Sequence, residues 1–311
     1  MGHTLTLSVE LILLSVQSPQ KLRLTLTLLF RVNPSQDFKF PKFKSLIKPH
    51  ALQVGQGLRE TCAVAQRILL ELFRRRRSLI FWIVFPVTIL VINGLIFSNR
   101  TDITQGQAFA QAVSPSLVGA ALFFSCLGGS VSTVVSEREQ QTLKRLFLSP
   151  LSGLSYFLGI LLAHTIIGVG QTILVVTIAV FAGATFSGSL FWAALIVLLS
   201  IVTYVGIGFI LGGQFARRTE DVNSLVAAFG IPFLLLGGAF LPTSLFPNSL
   251  LRLAKYNPVY HMTEALTAVT TQSKGFADIR LHFLFLLGFS ILVLLGGWSV
   301  YHRMIQSERR F

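Results

Sequence analysis

Charged side chains are scarce in this 311-residue sequence. Asp, Glu, Lys and Arg make up 12% of the residues, whereas soluble domains carry about 25%. Apolar residues reach 52%, and the mean hydropathy is +0.70. A bilayer-spanning helix needs about 20 consecutive apolar residues, and runs of that length recur along the chain. The sequence therefore excludes an ordinary soluble fold and predicts an all-α membrane protein.

The sequence also lacks the groups that catalysis or redox chemistry would need. Its two cysteines, Cys62 and Cys126, are too few for a disulfide framework. The apolar runs contain no Asp or Glu, which disfavours an intramembrane enzyme and an ion-driven carrier. No Gly-x-x-x-x-Gly-Lys-Ser/Thr phosphate loop is present. We therefore expect no enzymatic activity, metal or cofactor in this chain.

Six apolar runs organise the chain. We predict an amphipathic helix over residues 54–77, a six-span domain over residues 78–304 and a cytoplasmic tail over residues 305–311. We expect residues 1–53 to form a poorly ordered extension. A start codon assigned too far upstream would have added residues 1–50, and the sequence leaves this question open. The predicted spans are 78–97, 113–135, 154–181, 188–213, 224–246 and 281–304.

The net charge of +14 is distributed along the chain as in a membrane protein. Thirteen of the 26 Lys and Arg residues precede residue 78, and most of the others flank the predicted spans. The predicted topology puts 21 of them on the N-terminal side of the membrane and five on the other. This asymmetry predicts cytoplasmic termini and gives no indication of a nucleic-acid groove.

The predicted helix over residues 54–77 ends in four consecutive arginines, Arg74–Arg77. We expect it to lie on the inner membrane surface, with the arginines among anionic lipid head groups. A plain stop at the membrane edge is the alternative. The predicted apolar stripe of the helix over residues 54–77 consists of Leu58, Cys62, Ala65, Leu69 and Leu72.

The stretch from Ser136 to Pro150 concentrates charge between two apolar runs. It predicts a short cytoplasmic helix, with Ser136 and Glu139 forming a capping box and Pro150 ending the helix. Its apolar side would carry Leu143, Leu146 and Phe147. A helix with its own start, stop and apolar face suits a contact with another protein, whereas a solvated connector is the plainer alternative.

A few polar residues elsewhere are candidates for a transport path. His164 and Gln171 share one helix face and either line a path or serve as packing partners, the second being the commoner role of a lone histidine. Between residues 242 and 269 two short helices are expected to dip back into the outer leaflet. The candidate residues of an outer gate there are Phe240, Pro242 and Glu264. For Glu264, an interfacial acid that reaches water is the favoured alternative.

Two motifs carry a family resemblance. Glu137-Arg138-Glu139-x-x-Thr142-Leu143-Lys144-Arg145-Leu146 follows span 2, and Gly237-Gly238-x-Phe240-Leu241-Pro242 leads to Asn257-Pro258-x-x-His261. Together with six spans, they resemble ABC-2-type permeases, the membrane subunits of bacterial and plastid ABC exporters, and most closely the drug-exporter branch. The resemblance covers roughly residues 55–305.

The resemblance implies a type V ABC exporter-like fold with a cytoplasmic coupling helix and outer re-entrant helices. Two copies of a separate ATP-binding subunit would bind ATP and Mg²⁺, and the permease would pair with a second copy or a paralogue. Spans 2 and 5 would line the path between the two permeases. The coupling role falls on Glu137, Arg138, Glu139, Thr142, Leu143, Arg145 and Leu146.

These observations predict export of a hydrophobic or amphipathic, drug-like compound across a prokaryotic inner membrane or a plastid membrane. Export of a lipid or lipid-linked polysaccharide by the same architecture is the alternative. An intramembrane enzyme is disfavoured by the missing acids.

Overall fold

The computed structural model describes residues 54–100, 103–142, 151–216, 218–272 and 274–308, and every regular element in these ranges is helical. The predicted extension over residues 1–53 lies outside the described residues, as do residues 309–311 of the predicted tail. The helices are α1 (Val54–Arg74), α2 (Arg76–Arg100), α3 (Gln105–Glu139), α4 (Gly153–Phe181), α5 (Leu190–Gln214), α6 (Asp221–Leu236), α7 (Asn248–Ala254), α8 (Pro258–Thr271) and α9 (Phe276–Glu308), with a 3₁₀ turn at Thr243–Leu245.

Five of these helices, α2, α3, α4, α5 and α9, are long and apolar enough to cross a membrane. They correspond to the first four predicted spans and to the sixth. α3 begins earlier than its apolar run, because Thr104 and Gln107 form a capping box. The Thr104 hydroxyl accepts the Gln107 N–H at 3.4 Å, and the Gln107 side chain accepts the Thr104 N–H at 3.1 Å.

α3 is the central helix of the bundle. The protein buries 83% of its most apolar stretch, compared with 22% for α2, which faces outward. Its middle part, Leu117–Gly128, is π-helical, and at the end of this part the Gly129 N–H bonds the Phe124 carbonyl five residues earlier. Wider π turns are rare and concentrate at functional sites.

The predicted span over residues 224–246 contains Pro232 and the Gly237-Gly238 pair, where a kink or break is expected, and α6 has only 16 residues and ends at Leu236. Gly238 adopts a left-handed φ of +74°, which glycine tolerates best. The Ala239 N–H then bonds the Leu234 carbonyl at 3.1 Å, and the Gly238 N–H bonds that of Leu235 at 3.4 Å. These two bonds form a Schellman motif, which ends the helix and redirects the chain.

α1 packs against α4 through a face that coincides with the predicted stripe only in part. Of the predicted stripe, Ala65 and Leu72 are buried and Leu69 packs partly buried against the core. Thr61, Val64 and Ile68 are buried, whereas Leu58 is 61% exposed and Cys62 is also exposed. A Cβ atom on Gly159 of α4 would overlap the Val64 side chain, so the two helices approach closely. The stripe is rotated because the side facing α4 is decided by this contact and not by apolar periodicity alone.

α3 and α5 also make a close approach, at Gly208 of α5. A Cβ atom there would overlap the Leu127 carbonyl and the Ser130 hydroxyl of α3. The Ser130 hydroxyl donates to the Leu127 carbonyl at 3.0 Å, so it fills the small space that glycine leaves. Close packing at the Gly208–Gly212 pair, which the small-x-x-x-small spacing predicts, is confirmed.

Candidate functional site

The last turn of α3 carries three consecutive charged residues, Glu137, Arg138 and Glu139, which we call the junction. Each of them bonds a different part of the bundle. The junction residues are therefore described one at a time, from the buried one outward.

Glu137 is 3% exposed and joins α3 to two other helices. Its carboxylate forms an ion pair with Arg67 of α1 and accepts a hydrogen bond from the Tyr156 hydroxyl of α4. Arg67 keeps 35% of its side chain exposed, so the pair lies at the border of the protein interior. A buried carboxylate is stable only with such partners, because the loss of water is costly.

Arg138 closes the end of α5. Its guanidinium donates to the carbonyls of Gly212 at 3.3 Å, Gly213 at 3.1 Å and Ala216 at 3.4 Å. The last carbonyls of a helix have no partner within the helix and carry partial negative charge. Arg138 therefore acts as a C-terminal cap supplied by a neighbouring helix.

Glu139 binds the segment that leads into α6. Its carboxylate accepts the Thr219 N–H at 3.0 Å and also the Thr219 hydroxyl proton. Thr219 lies two residues before α6 begins at Asp221. The junction thus joins the end of α3 to α1, α4, α5 and the start of α6, and a displacement of this end would act on all four.

This arrangement corrects the predicted start of the cytoplasmic helix. Ser136 is buried inside α3 and its hydroxyl donates to the Thr133 carbonyl, so it caps nothing, and Glu139 bonds Thr219 instead of a capping partner. α3 ends after Glu139, and Gln141 takes a left-handed φ of 54°. Of the predicted coupling residues, Thr142 follows this turn. Residues 143–150, with Leu143, Arg145 and Leu146, lie outside the described residues.

His164 is fully buried between α4 and α3. Its Nδ1 lies 3.0 Å from the Ser125 carbonyl and its Nε2 lies 3.3 Å from the Thr133 hydroxyl. Gln171, on the same helix face, is 7% exposed, and its Oε1 has no hydrogen-bond partner among the described residues. Both ring nitrogens of His164 thus lie within hydrogen-bond distance of α3 atoms, which is the arrangement expected of a packing partner.

The candidate gate residues lie near the opposite end of the bundle. The Glu264 carboxylate of α8 accepts the Thr243 hydroxyl proton, which ties α8 to the 3₁₀ turn that follows Pro242. The Asn257 side chain donates to the Phe233 carbonyl at 2.7 Å and accepts the Val259 N–H at 2.9 Å. Asn257 therefore caps α8 and holds it against the last turn of α6.

A histidine pair joins α8 to α9. The Nδ1 atoms of His261 and His282 are 3.0 Å apart, and His261 Nε2 donates to the Lys255 carbonyl at 2.9 Å. Burial lowers the pKa of His261, and nearby His282 lowers it further, while Glu264 and the Lys255 carbonyl act in the opposite direction. No group of three or more His, Cys, Asp or Glu side chains in the described ranges could hold a metal ion.

The histidine pair predicts a loss of stability in acid. The pKa of His261 lies below its ordinary 6.5 in the folded protein, so the unfolded chain binds more protons as the pH falls through that value. We expect the thermal midpoint to fall between about pH 7.5 and about pH 5.5, and His261→Gln to reduce the fall. His302→Gln, at the other end of α9, is the matched control. An equal fall in all three proteins would contradict the prediction.

A cleft of about 900 Å³ lies between α2, α3 and α6. It extends from Arg75, Arg77 and Thr219 near the junction to Phe240 beyond the end of α6. Phe240 is the one candidate gate residue that lines it, and neither His164 nor Gln171 does. α3 and α6 are the two helices that correspond to predicted spans 2 and 5.

The apolar helices and the charged junction at one end of them define an integral membrane protein of the helical-bundle class. Residues 59–270 match the family model of the ABC-2 type transporter, so the chain belongs to this family. The sequence-based assignment to ABC-2-type permeases is confirmed.

Two bacterial relatives illustrate the similarity. The chain is 28% identical over 153 residues to YbhR of Escherichia coli K12, named a probable multidrug ABC transporter permease. That alignment covers 49% of this chain and 41% of YbhR, so the chain spans about two fifths of this relative's length. It is also 26% identical over 197 residues to the inner membrane transport permease YadH of the same strain, covering 62% of this chain and 76% of YadH.

The structure adds residues that the sequence did not reveal as parts of a site. Arg67, Tyr156 and Thr219 bond the junction from positions distant in the chain. An arginine on an amphipathic helix and a tyrosine near a span end are ordinary on their own. Only the three-dimensional structure, in which these residues bond Glu137 and Glu139, identifies them as parts of the site.

Proposed function

We propose that this chain is the permease subunit of an ATP-driven ABC exporter that moves a hydrophobic or amphipathic, drug-like compound outward. The observation that carries this proposal is the junction, where four parts of the bundle are bonded to the last turn of α3. The segment after it, residues 143–150, would dock as a coupling helix on a separate ATP-binding subunit. A movement of that subunit would then reach α1, α4, α5 and α6 together.

The proposed assembly contains two ATP-binding subunits, which bind ATP and Mg²⁺, and a second permease that is a copy or a paralogue. Family membership and the missing phosphate loop support an energy source in another chain. The cleft between α3 and α6 would be one permease's share of the path. Phe240, Pro242 and Glu264 would belong to its outer gate.

We further propose six membrane crossings, with both termini in the cytoplasm of a prokaryotic cell or on the corresponding side of a plastid membrane. α6 supplies about 24 Å of the fifth crossing at 1.5 Å per residue. The redirected chain after Gly238, with α7 and α8, would complete it as re-entrant helices in the outer leaflet. The excess of Lys and Arg on the junction side supports this orientation.

The similarity to YbhR, a probable multidrug ABC transporter permease, favours a drug-like cargo over the alternative, a lipid or lipid-linked polysaccharide. We expect purification from native membranes in mild detergent to bring down an ATP-binding protein with a phosphate loop. If this chain alone is recovered in mild detergent, the result would argue against the exporter function and favour a scaffold without transport activity.

Glu139 offers a direct test of coupling. We expect Glu139→Ala to lower the cargo-stimulated ATPase activity of the reconstituted complex about tenfold, because the start of α6 loses both hydrogen bonds from Thr219 to α3. Membrane insertion should be unchanged, since Glu139 lies at the end of α3. The measurement is ATP hydrolysis with and without cargo in proteoliposomes.

Glu220→Ala is the matched control for this variant. Glu220 is an exposed acid next to Thr219, and its substitution should leave stimulation intact. Equal stimulation in Glu139→Ala and the unmodified complex would count heavily against the coupling role of the junction.

A further inference from the structure

The cleft between α2, α3 and α6 has two chemically different ends. Beyond Arg77 its walls are aromatic, with Trp82 from α2 and Phe123 and Phe124 from α3. The ring centroids of Phe123 and Phe124 are 5.0 Å apart in an edge-to-face arrangement, and Phe81 packs on Phe124 at 5.4 Å. Such walls favour an acyl or aromatic body.

The end near the junction is basic. Arg75 and Arg77 line it, and none of its lining residues in the described part of the chain carries a carboxylate. Arg75 forms an ion pair with Glu71 at 2.5 Å, whereas Arg77 has no ion pair among the described residues and is exposed. Ser78 and Asn223 add polar groups beside the two arginines.

The acidic side chains around this basic end bond partners other than Arg77, beginning with Glu71, which pairs with Arg75. Glu139 accepts two hydrogen bonds from Thr219, and Asp221 accepts the Arg218 N–H at 3.3 Å. Glu220 is exposed and does not line the cleft. Among the described residues that line the cleft, Arg77 is therefore the cation that has no acidic partner and is available to a ligand. An arginine suits a phosphate or carboxylate because its planar group can donate two parallel hydrogen bonds.

We propose that the cleft binds an amphiphilic anion, with a phosphate or carboxylate head at Arg77 and an apolar body along Trp82, Phe123 and Phe124. This inference rests on the proposed function, in which the cleft is part of the export path, and it names the cargo class. The charged head would stay near the membrane surface, where water and the arginines stabilise it, while the body lies among the aromatic rings.

Trp82 supplies the test, since it lines the cleft and is one of three tryptophans in the chain. In the full-length Trp192→Phe, Trp298→Phe variant in phosphatidylcholine nanodiscs, Trp82 is the sole tryptophan reporter. We expect dodecyl phosphate to change its emission at a concentration at least tenfold lower than dodecyltrimethylammonium, which has the same tail. Subtracting the signal of Trp82→Phe from that of the unmodified protein gives the same readout if the double replacement is poorly produced.

Arg77→Gln should abolish this preference, whereas Arg59→Gln should preserve it, because Arg59 is an exposed arginine of α1 that does not line the cleft. Dodecanoate should compete with dodecyl phosphate, and inorganic phosphate should not. Equal affinity for the anion and the cation, an unchanged preference in Arg77→Gln, or no response of Trp82 would each overturn the proposal. Association with an ATP-binding subunit is measured separately, so its presence or absence tests the exporter function independently.

Discussion

Replacing Arg67 by Ala should lower the free energy of unfolding by about 3 kcal/mol, which is the cost of leaving a buried carboxylate without its partner. Glu137 would keep only the Tyr156 hydroxyl as a hydrogen-bond donor. Water can reach the border of this site, because 35% of the Arg67 side chain is exposed, so we expect the lower end of the range for buried pairs. Thermal unfolding of the purified protein in mild detergent measures the effect.

Arg59→Ala is the control for this experiment, since it removes an exposed arginine from the same helix. A second variant separates the charge from the packing of the long side chain. If the unpaired charge of Glu137 causes the loss, Glu137→Gln combined with Arg67→Ala should recover more than half of it. A double variant as unstable as Arg67→Ala, or more so, would show that the ion pair is not the cause.

Gly208→Val should destabilise the protein by about 3 kcal/mol and reduce the yield of monodisperse protein, because overpacking a close contact is costly. The added carbon atoms would overlap the Leu127 carbonyl, a backbone group of the central helix that has little room to shift. The clash would separate α5 from α3 and pull the α5 carbonyls away from Arg138. Size-exclusion chromatography and thermal unfolding measure both effects.

Gly170→Val is the matched control. Gly170 also lies inside a membrane-crossing helix, but no other part of the protein lies within 4 Å of a Cβ atom placed there. The same change of residue then alters helix propensity without a clash. Similar stability in the two variants would mean that α3 and α5 do not require the close approach at Gly208.

The sequence predicted the helices of the bundle better than their ends. Apolar runs indicated α2, α4 and α5 almost to the residue, since burial in a bilayer demands uninterrupted apolar length. The Gly237-Gly238 pair indicated a break within the span over residues 224–246, and α6 ends at Leu236, directly before this pair. The predicted cap at Ser136 failed because capping motifs are local patterns, and Ser136 lies in a helix that already began at Gln105.

The candidate site was predictable only in part. The charges of Glu137, Arg138 and Glu139 stand out against the apolar runs, so their importance could be inferred from composition. Their bonding partners could not, because Arg67 lies 70 residues before Glu137 and Thr219 lies 80 residues after Glu139. Periodicity reports which residues share a helix face, and it carries no information on which helices meet.

By itself, the sequence determined that this protein is an α-helical membrane protein, where most of its crossings lie and that charge collects at the end of α3. These properties follow from transfer of side chains between water and lipid, which depends on each residue and its near neighbours. The tertiary structure alone decided that these charges bind four parts of the bundle and that Glu137 is buried among them. Buried charges need partners, and only the packing of distant segments can supply them.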